Sequence, residues 1–273
     1  MKMGSLFSGI GGLELGLERA IPGLQTVWQV EKEPFCRSVL ERHWPNAKRY
    51  NDVRTVGAHN LEPVDVICAG FPCQSISIAG KMRGLEDEEK SGLWWHVHRL
   101  VSEFQSIGRQ PILVLENVSN IIRVGGPDVV GSLAAIGYDI EWTIISAAQT
   151  GAPHLRRRWF AVAFPTTIGY YLRNELAFAD SNVSRHKKQH ESQLLEEAGG
   201  PGCGDGETGR VHHGDNYWRT PYPTRFCRVD DGIPKRLDRL KALGNAVVPQ
   251  CAEWVGQQIV NSGLLEVACS QHN

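Results

Sequence analysis

The sequence predicts an α/β protein built on a doubly wound, mostly parallel sheet, and three observations carry that expectation. Short Val- and Ile-rich runs alternate with stretches of helical periodicity. A glycine-rich turn joins the first run to the first helical stretch, as in folds that bind ligands beyond the carboxyl ends of their strands. The alternation stops after about Pro165 and resumes near Arg236. The expected organisation is therefore a domain over residues 1–165, a small insert over 166–235, and a segment 236–273 that completes the first domain.

Strands are expected at Ser5–Phe7, Thr26–Val30, Val64–Ala69, Ile112–Glu116, Asp139–Ser146 and Arg158–Phe164, where β-branched and aromatic residues concentrate. Helices are expected at Leu13–Ala20, Pro34–His43, Leu93–Phe104 and Pro127–Ala135. In the third of these, Leu93, Val97, Leu100, Val101 and Phe104 repeat at the spacing of one buried face. Pro249 can open a last helix through Cys251, Val255 and Ile259, because proline suits a first helical position. Between Asn182 and Thr220 the chain is polar, with runs such as "EEAGGPGCGDGETGRVHHGD", and reads as loop-rich.

Composition narrows the class. The 273 residues carry a net charge of −1, which does not advertise a nucleic-acid binder. Residues 154–240 hold 14 Lys and Arg against 11 Asp and Glu, a bias compatible with phosphate contacts and equally with solvated loops. No apolar run approaches the roughly 20 residues that span a bilayer, and "MKMGSLFSGIGG" lacks the apolar core of a signal peptide. No membrane association is expected. The 7 cysteines are odd in number and contain no C-x-x-C pair, so neither a metal site nor a disulfide framework is expected. A reducing, cytoplasmic setting follows.

The stretch "LFSGIGGLELGLERA" places Gly9, Ile10, Gly11 and Gly12 between the first strand and its helix. Such a turn lets the backbone approach a ligand beside helix amides; equally, it can serve only to pack a helix on a sheet. The dinucleotide fingerprint needs a glycine where Glu14 stands. About 20 residues on, "VWQVEKE" supplies Glu31 at a strand end, placed for a ribose diol, and "YNDVR" supplies Asp52. Each acid alone is as readily a surface residue or helix cap. Together they suggest a nucleoside ligand without a pyrophosphate, of which S-adenosylmethionine (AdoMet) is one.

The chemistry-bearing residues gather at other strand ends. Cys73 in "GFPCQ" follows an apolar strand and a stiffening proline, where a thiol can be a nucleophile or simply a small apolar plug. "VLENV" leaves Glu116 at the end of the next apolar strand, where desolvation is costly without a partner. In "GAPHLRRRWF", Arg156 and Arg158 share one side of a strand alternation and Arg157 takes the other. An arginine–glutamate ion pair would account for two of these residues without catalysis.

"LFSGIGGLELGLERA", "GFPCQSISIAGKMRGLEDEEKSGL", "ENV", "GAPHLRRRWF" and "LGNAVVPQ" resemble, in this order, the motif series of the DNA (cytosine-5) methyltransferases of bacterial and phage type. The resemblance spans nearly the whole chain apart from about Pro165 to Arg228. It implies the Rossmann-like fold of class I AdoMet-dependent methyltransferases with a small inserted target-recognition domain. It also implies methylation of cytosine at the 5-position within a short sequence of double-stranded DNA. In the roles it implies, Cys73 is the nucleophile, Glu116 the acid at ring N3 and Arg158 the cation at O2, with Arg156, Asn117 and Gln74 as companions. Phe7 lies against adenine, the backbone of Gly9–Gly12 cradles the methionine end, Glu31 takes the ribose hydroxyls, Asp52 lies near the adenine amine, and Asn245 packs beside the first motif.

A base inside a duplex must be flipped out for this attack, and Ser75–Lys90 resembles the family's mobile loop, with Lys81 and Arg83 suited to phosphates. In the insert, Arg173, Arg185, Lys187, Lys188, Arg210, Arg219 and Arg225 are candidates for base or phosphate contacts. His154 departs from the glutamine usual at its place in the family, which bears on fine positioning. A monomer is expected, with DNA as partner and a cognate restriction endonuclease as a further candidate. Three other readings stay in view: a tRNA cytosine-5 methyltransferase, a non-catalytic DNA-binding relative, and a nicotinamide-dependent oxidoreductase. Intact Cys73, Glu116 and Arg158 weigh against the second, and Glu14 weighs against the third.

Overall fold

The computed structural model describes residues 1–72, 92–168 and 236–270. Cys73, Gln74, Lys81, Arg83, Arg185, Lys187 and Lys188 lie outside the described residues, as does the expected insert from residue 169 to residue 235.

The described residues form a seven-stranded sheet of order β3-β2-β1-β4-β5-β7-β6. Its strands are β1 (Lys2–Leu6), β2 (Gln25–Val30), β3 (Lys48–Tyr50), β4 (Val66–Ala69), β5 (Ile112–Val118), β6 (Tyr138–Ser146) and β7 (Arg157–Pro165). The helices are α1 (Gly12–Ala20), α2 (Pro34–His43), α3 (Leu93–Ser106), α4 (Ile121–Val124), α5 (Gly126–Ala135), α6 (Arg236–Asn245), α7 (Pro249–Asn261) and α8 (Leu264–Ser270). The α/β class and the mostly parallel sheet are as the sequence predicts. Strand β7 is the exception, antiparallel to both β5 and β6. The connection from β6 to β7 is too short for the crossover helix that a parallel neighbour requires, so the chain turns back on itself.

Strand β3 escapes the sequence reading because its three residues, Lys48, Arg49 and Tyr50, carry no apolar pattern; parallel pairing with Trp28–Val30 defines it. Helix α3 buries Val97, Leu100, Val101 and Phe104 of the stripe its periodicity marks, with Trp94 buried in the place expected of Leu93 and Leu93 itself half-buried. This stripe packs into one core with Leu6, Ile67, Leu113 and Leu115 from the sheet.

The C-terminal helix α7 returns to the first helix, and small residues decide the fit. A Cβ at Gly16 would lie 2.3 Å from the Pro249 carbonyl oxygen, and one at Gly256 2.6 Å from the Ala20 side chain. With Cys251, Ala252, Val255 and Ile259 buried beneath it, α7 is close-packed against α1.

Candidate active site

A cavity of about 840 Å³ opens at the carboxyl ends of β1, β2, β4 and β5, where a doubly wound sheet binds its ligands. Its wall includes Phe7, Gly9, Glu31 and Asp52, and also Glu116, Asn117, Arg156 and Arg158. Asn245 comes from the far end of the chain to the same wall, and Pro72, the residue before Cys73, lines it as well.

The glycine turn divides its work. Phe7 and Gly9 both take positive φ (56° each), and a Cβ on Gly9 would meet nothing within 4 Å. Ile10, Gly11 and Gly12 are not in the cavity wall. Gly11, at φ 87°, faces the Trp44 ring, which a Cβ there would approach to 2.3 Å; one on Gly12 would lie 2.3 Å from the Val247 carbonyl oxygen. These two glycines are small because the scaffold crowds them, and Gly9 carries the approach to the cavity. Glu14, at the place of the fingerprint glycine, is fully buried and accepts a hydrogen bond from Gln29 Nε2 at 3.3 Å. Burial raises its carboxyl pKa.

Glu31 is built as an acceptor. Its Oε2 accepts the Gly9 N–H and its Oε1 the Glu33 N–H, both at 2.7 Å. Burial raises its pKa, and these two backbone donors oppose the rise. Asp52 is already engaged: it accepts the Arg54 N–H at 2.9 Å and pairs with the Arg54 guanidinium at 2.9 Å, which holds its pKa down.

At Glu116 the electrostatics reverse. Antiparallel pairing sets Arg158 opposite Val118, two residues from Glu116 on the same face. Arg158 Nε lies 3.1 Å from Glu116 Oε1. Glu116 is only 8% exposed, and desolvation outweighs the pull of Arg158 and Arg156, pushing its pKa up to about 7. Arg156 donates from Nη1 to the Gly244 carbonyl oxygen at 2.7 Å, tying the start of the arginine strand to the end of α6, where Asn245 stands. Asn117 is buried, and its Nδ2 donates to the Phe71 carbonyl oxygen at 2.8 Å. This fixes the backbone two residues before Cys73. His154 is exposed and outside the cavity wall.

Sequence reasoning missed several wall residues. Phe35 and Cys36 lie on α2, and Asp238, Lys241 and Ala242 lie on α6. With Asn245 these last three form an i, i+3, i+4, i+7 set, a spacing legible in the sequence once the helix is known. Among the described residues no cluster of His, Cys, Asp and Glu could hold a metal ion, and no helix is long and apolar enough to cross a membrane.

Fold and cavity together define a Rossmann-like protein whose cleft gathers the acids Glu31 and Asp52 and a carboxylate–arginine pair, Glu116 and Arg158. A family model described as C-5 cytosine-specific DNA methylase matches residues 1–218, and the chain belongs to that family. It is 33% identical over 167 residues to the type II methyltransferase M2.BsuMI of Bacillus subtilis, covering 60% of this chain and 42% of that one. To M.CviJI of a Paramecium bursaria Chlorella virus it is 36% identical, covering 58% and 41%. Among solved structures it resembles a DNA modification methyltransferase encoded within an E. coli prophage. That match has 28% identity and a TM-score of 0.50, covering 62% of this chain and 47% of the other. The chain thus spans less than half the length of these relatives.

Proposed function

We propose that this chain methylates the 5-position of cytosine within a short sequence of double-stranded DNA, using AdoMet and covalent thiolate addition to a flipped-out base. One observation carries the reading: a single cavity joins a ribose-type carboxylate, Glu31, to the Glu116–Arg158 pair, with the residue before Cys73 in its wall.

The wall suits AdoMet. The lone pairs of Glu31 not used by Gly9 and Glu33 can accept the ribose hydroxyls, Asp52 offers an acceptor for the adenine amine, and Phe7 and Phe35 offer apolar faces. Cytosine C5 is a poor nucleophile until C6 is attacked. The Cys73 thiolate forms the bond to C6 while Glu116, protonated near neutral pH, gives its proton to N3. Arg158 offers N–H groups to O2, so charge developing on the ring meets a fixed cation. When bound, AdoMet supplies the methyl group that the activated C5 takes. Loss of the C5 proton to solvent and return of the N3 proton to Glu116 then expel the thiolate, leaving 5-methylcytosine and the starting enzyme.

Lys81 and Arg83 would contact phosphates and the insert would read the sequence, Arg185, Lys187 and Lys188 among its candidates. A single protomer flipping one base makes a monomer sufficient. A bacterial or phage-infected cytoplasm, with or without a cognate endonuclease, is the setting this reading implies.

The test is bisulfite sequencing of unmethylated plasmid incubated with AdoMet and the protein, beside Cys73→Ser. Cytosines protected in one recurring short context, and unprotected with Cys73→Ser, are the expected result. No protection on any DNA by a folded, AdoMet-binding protein would overturn the DNA reading, and methyl transfer to tRNA would then be assayed.

A further inference from the structure

Among its described side chains, helix α6 is attached to the domain more by polar contacts than by apolar packing. Of its described side chains Ala242 is the one that is buried, while Leu237 and Leu243 are 81% and 65% exposed. Its cavity-facing set, Asp238, Lys241, Ala242 and Asn245, is mostly polar. A ten-residue helix is marginal in water without a buried apolar stripe, so the contacts that place α6 matter. Two are evident. Near its end Arg156 Nη1 holds the Gly244 carbonyl, and in its middle Lys241 Nζ meets Glu33 Oε1 at 2.8 Å. Glu33 in turn donates its N–H to the ribose acid Glu31. The ion pair therefore ties α6 to the backbone beside the nucleoside end of the cavity.

We propose that α6 is a strap over the nucleoside end of the cofactor cavity, fastened by the Lys241–Glu33 ion pair, and that S-adenosyl ligands enter and leave when this pair parts. The inference rests on the AdoMet reading given above. An exposed ion pair is individually weak, which suits a fastening that must open at every turnover. Elements with few buried apolar contacts are also those that open locally without global unfolding. Opening at α6 leaves α7 in place, because α7 is held by its own packing on α1.

The experiment measures the dissociation rate of S-adenosylhomocysteine from the full chain by stopped-flow displacement. It compares the wild type, Lys241→Glu, and the double variant Glu33→Lys with Lys241→Glu, and thermal melts check the fold of each. The expected result is dissociation about 1.5- to five-fold faster in Lys241→Glu, and return toward the wild-type rate in the charge-swapped double variant. Unchanged dissociation in Lys241→Glu overturns the strap, and so does a defect that the swap does not repair. Should the wild type fail to bind S-adenosylhomocysteine at all, the cofactor reading itself falls and the strap falls with it, a result distinct from failure among the variants alone.

Discussion

Glu31 and Glu116 are both glutamates at or just beyond the end of a strand, in the wall of one cavity, and burial raises the pKa of each. Their partners separate them. Glu31 receives two backbone N–H donors at 2.7 Å, which favour its anion and suit it to accept hydrogen bonds. Glu116 has the Arg158 guanidinium as its ion-pair partner, and desolvation prevails, so a pKa of about 7 leaves it able to hand over a proton near neutrality. In the proposed reaction, environment rather than residue type suits one carboxylate to binding and the other to proton transfer.

The sharpest way to break this comparison is to remove the proton from one end. Glu116→Gln is expected to lower methyl transfer about 10²- to 10⁴-fold at pH 7 while leaving S-adenosylhomocysteine affinity within about twofold in calorimetry. The mirror change, Glu31→Gln, should raise the KM for AdoMet about ten- to hundred-fold and change kcat far less. A kcat loss as large as the KM effect would erase the division of labour.

The pH profile sharpens the comparison further. Because the protonated form of Glu116 is the proposed donor, kcat should decline as pH rises through about 7. Arg156 helps hold the pKa of Glu116 down, so Arg156→Met should move this alkaline limb to higher pH; a limb that stays put would assign it to another group. Smallest is an effect on stability. The Glu116 pKa is higher folded than in the unfolded chain, roughly 4.3. Its favourable contribution is thus complete below about pH 4 and lost as pH rises through about 7. Glu116→Gln, which cannot ionise, should melt higher than the wild type at pH 8, with the difference shrinking toward pH 5 in thermal scans.

Much of this fold is legible locally. The apolar stripe of α3 runs at helical spacing, and β5 reads as four apolar residues from Ile112 to Leu115 followed by an acid. The arginine alternation is local and separates Arg158 from Arg157, whereas the meeting of Arg158 with Glu116 depends on the register of β7 against β5. What escapes reading depends on distant partners. Nothing around Asn117 announces that it clamps the Phe71 carbonyl 46 residues away, or that Arg156 reaches Gly244 88 residues on. The buried Glu14 carries no local mark of burial either, since a polar residue in an amphipathic helix normally faces water.

The sequence by itself determined the strand–helix alternation, the glycine turn, and the order in which Glu31, Glu116, Arg156 and Arg158 reach the sheet edge, because these follow from short-range periodicity and covalent spacing. Only the tertiary structure decided that Gly11 and Gly12 serve packing while Gly9 faces the cavity, that α6 closes one wall, and that one glutamate is poised to accept and the other to donate. Desolvation and close contact are sums over every atom that folding brings near a group, and those atoms come from the whole length of the chain.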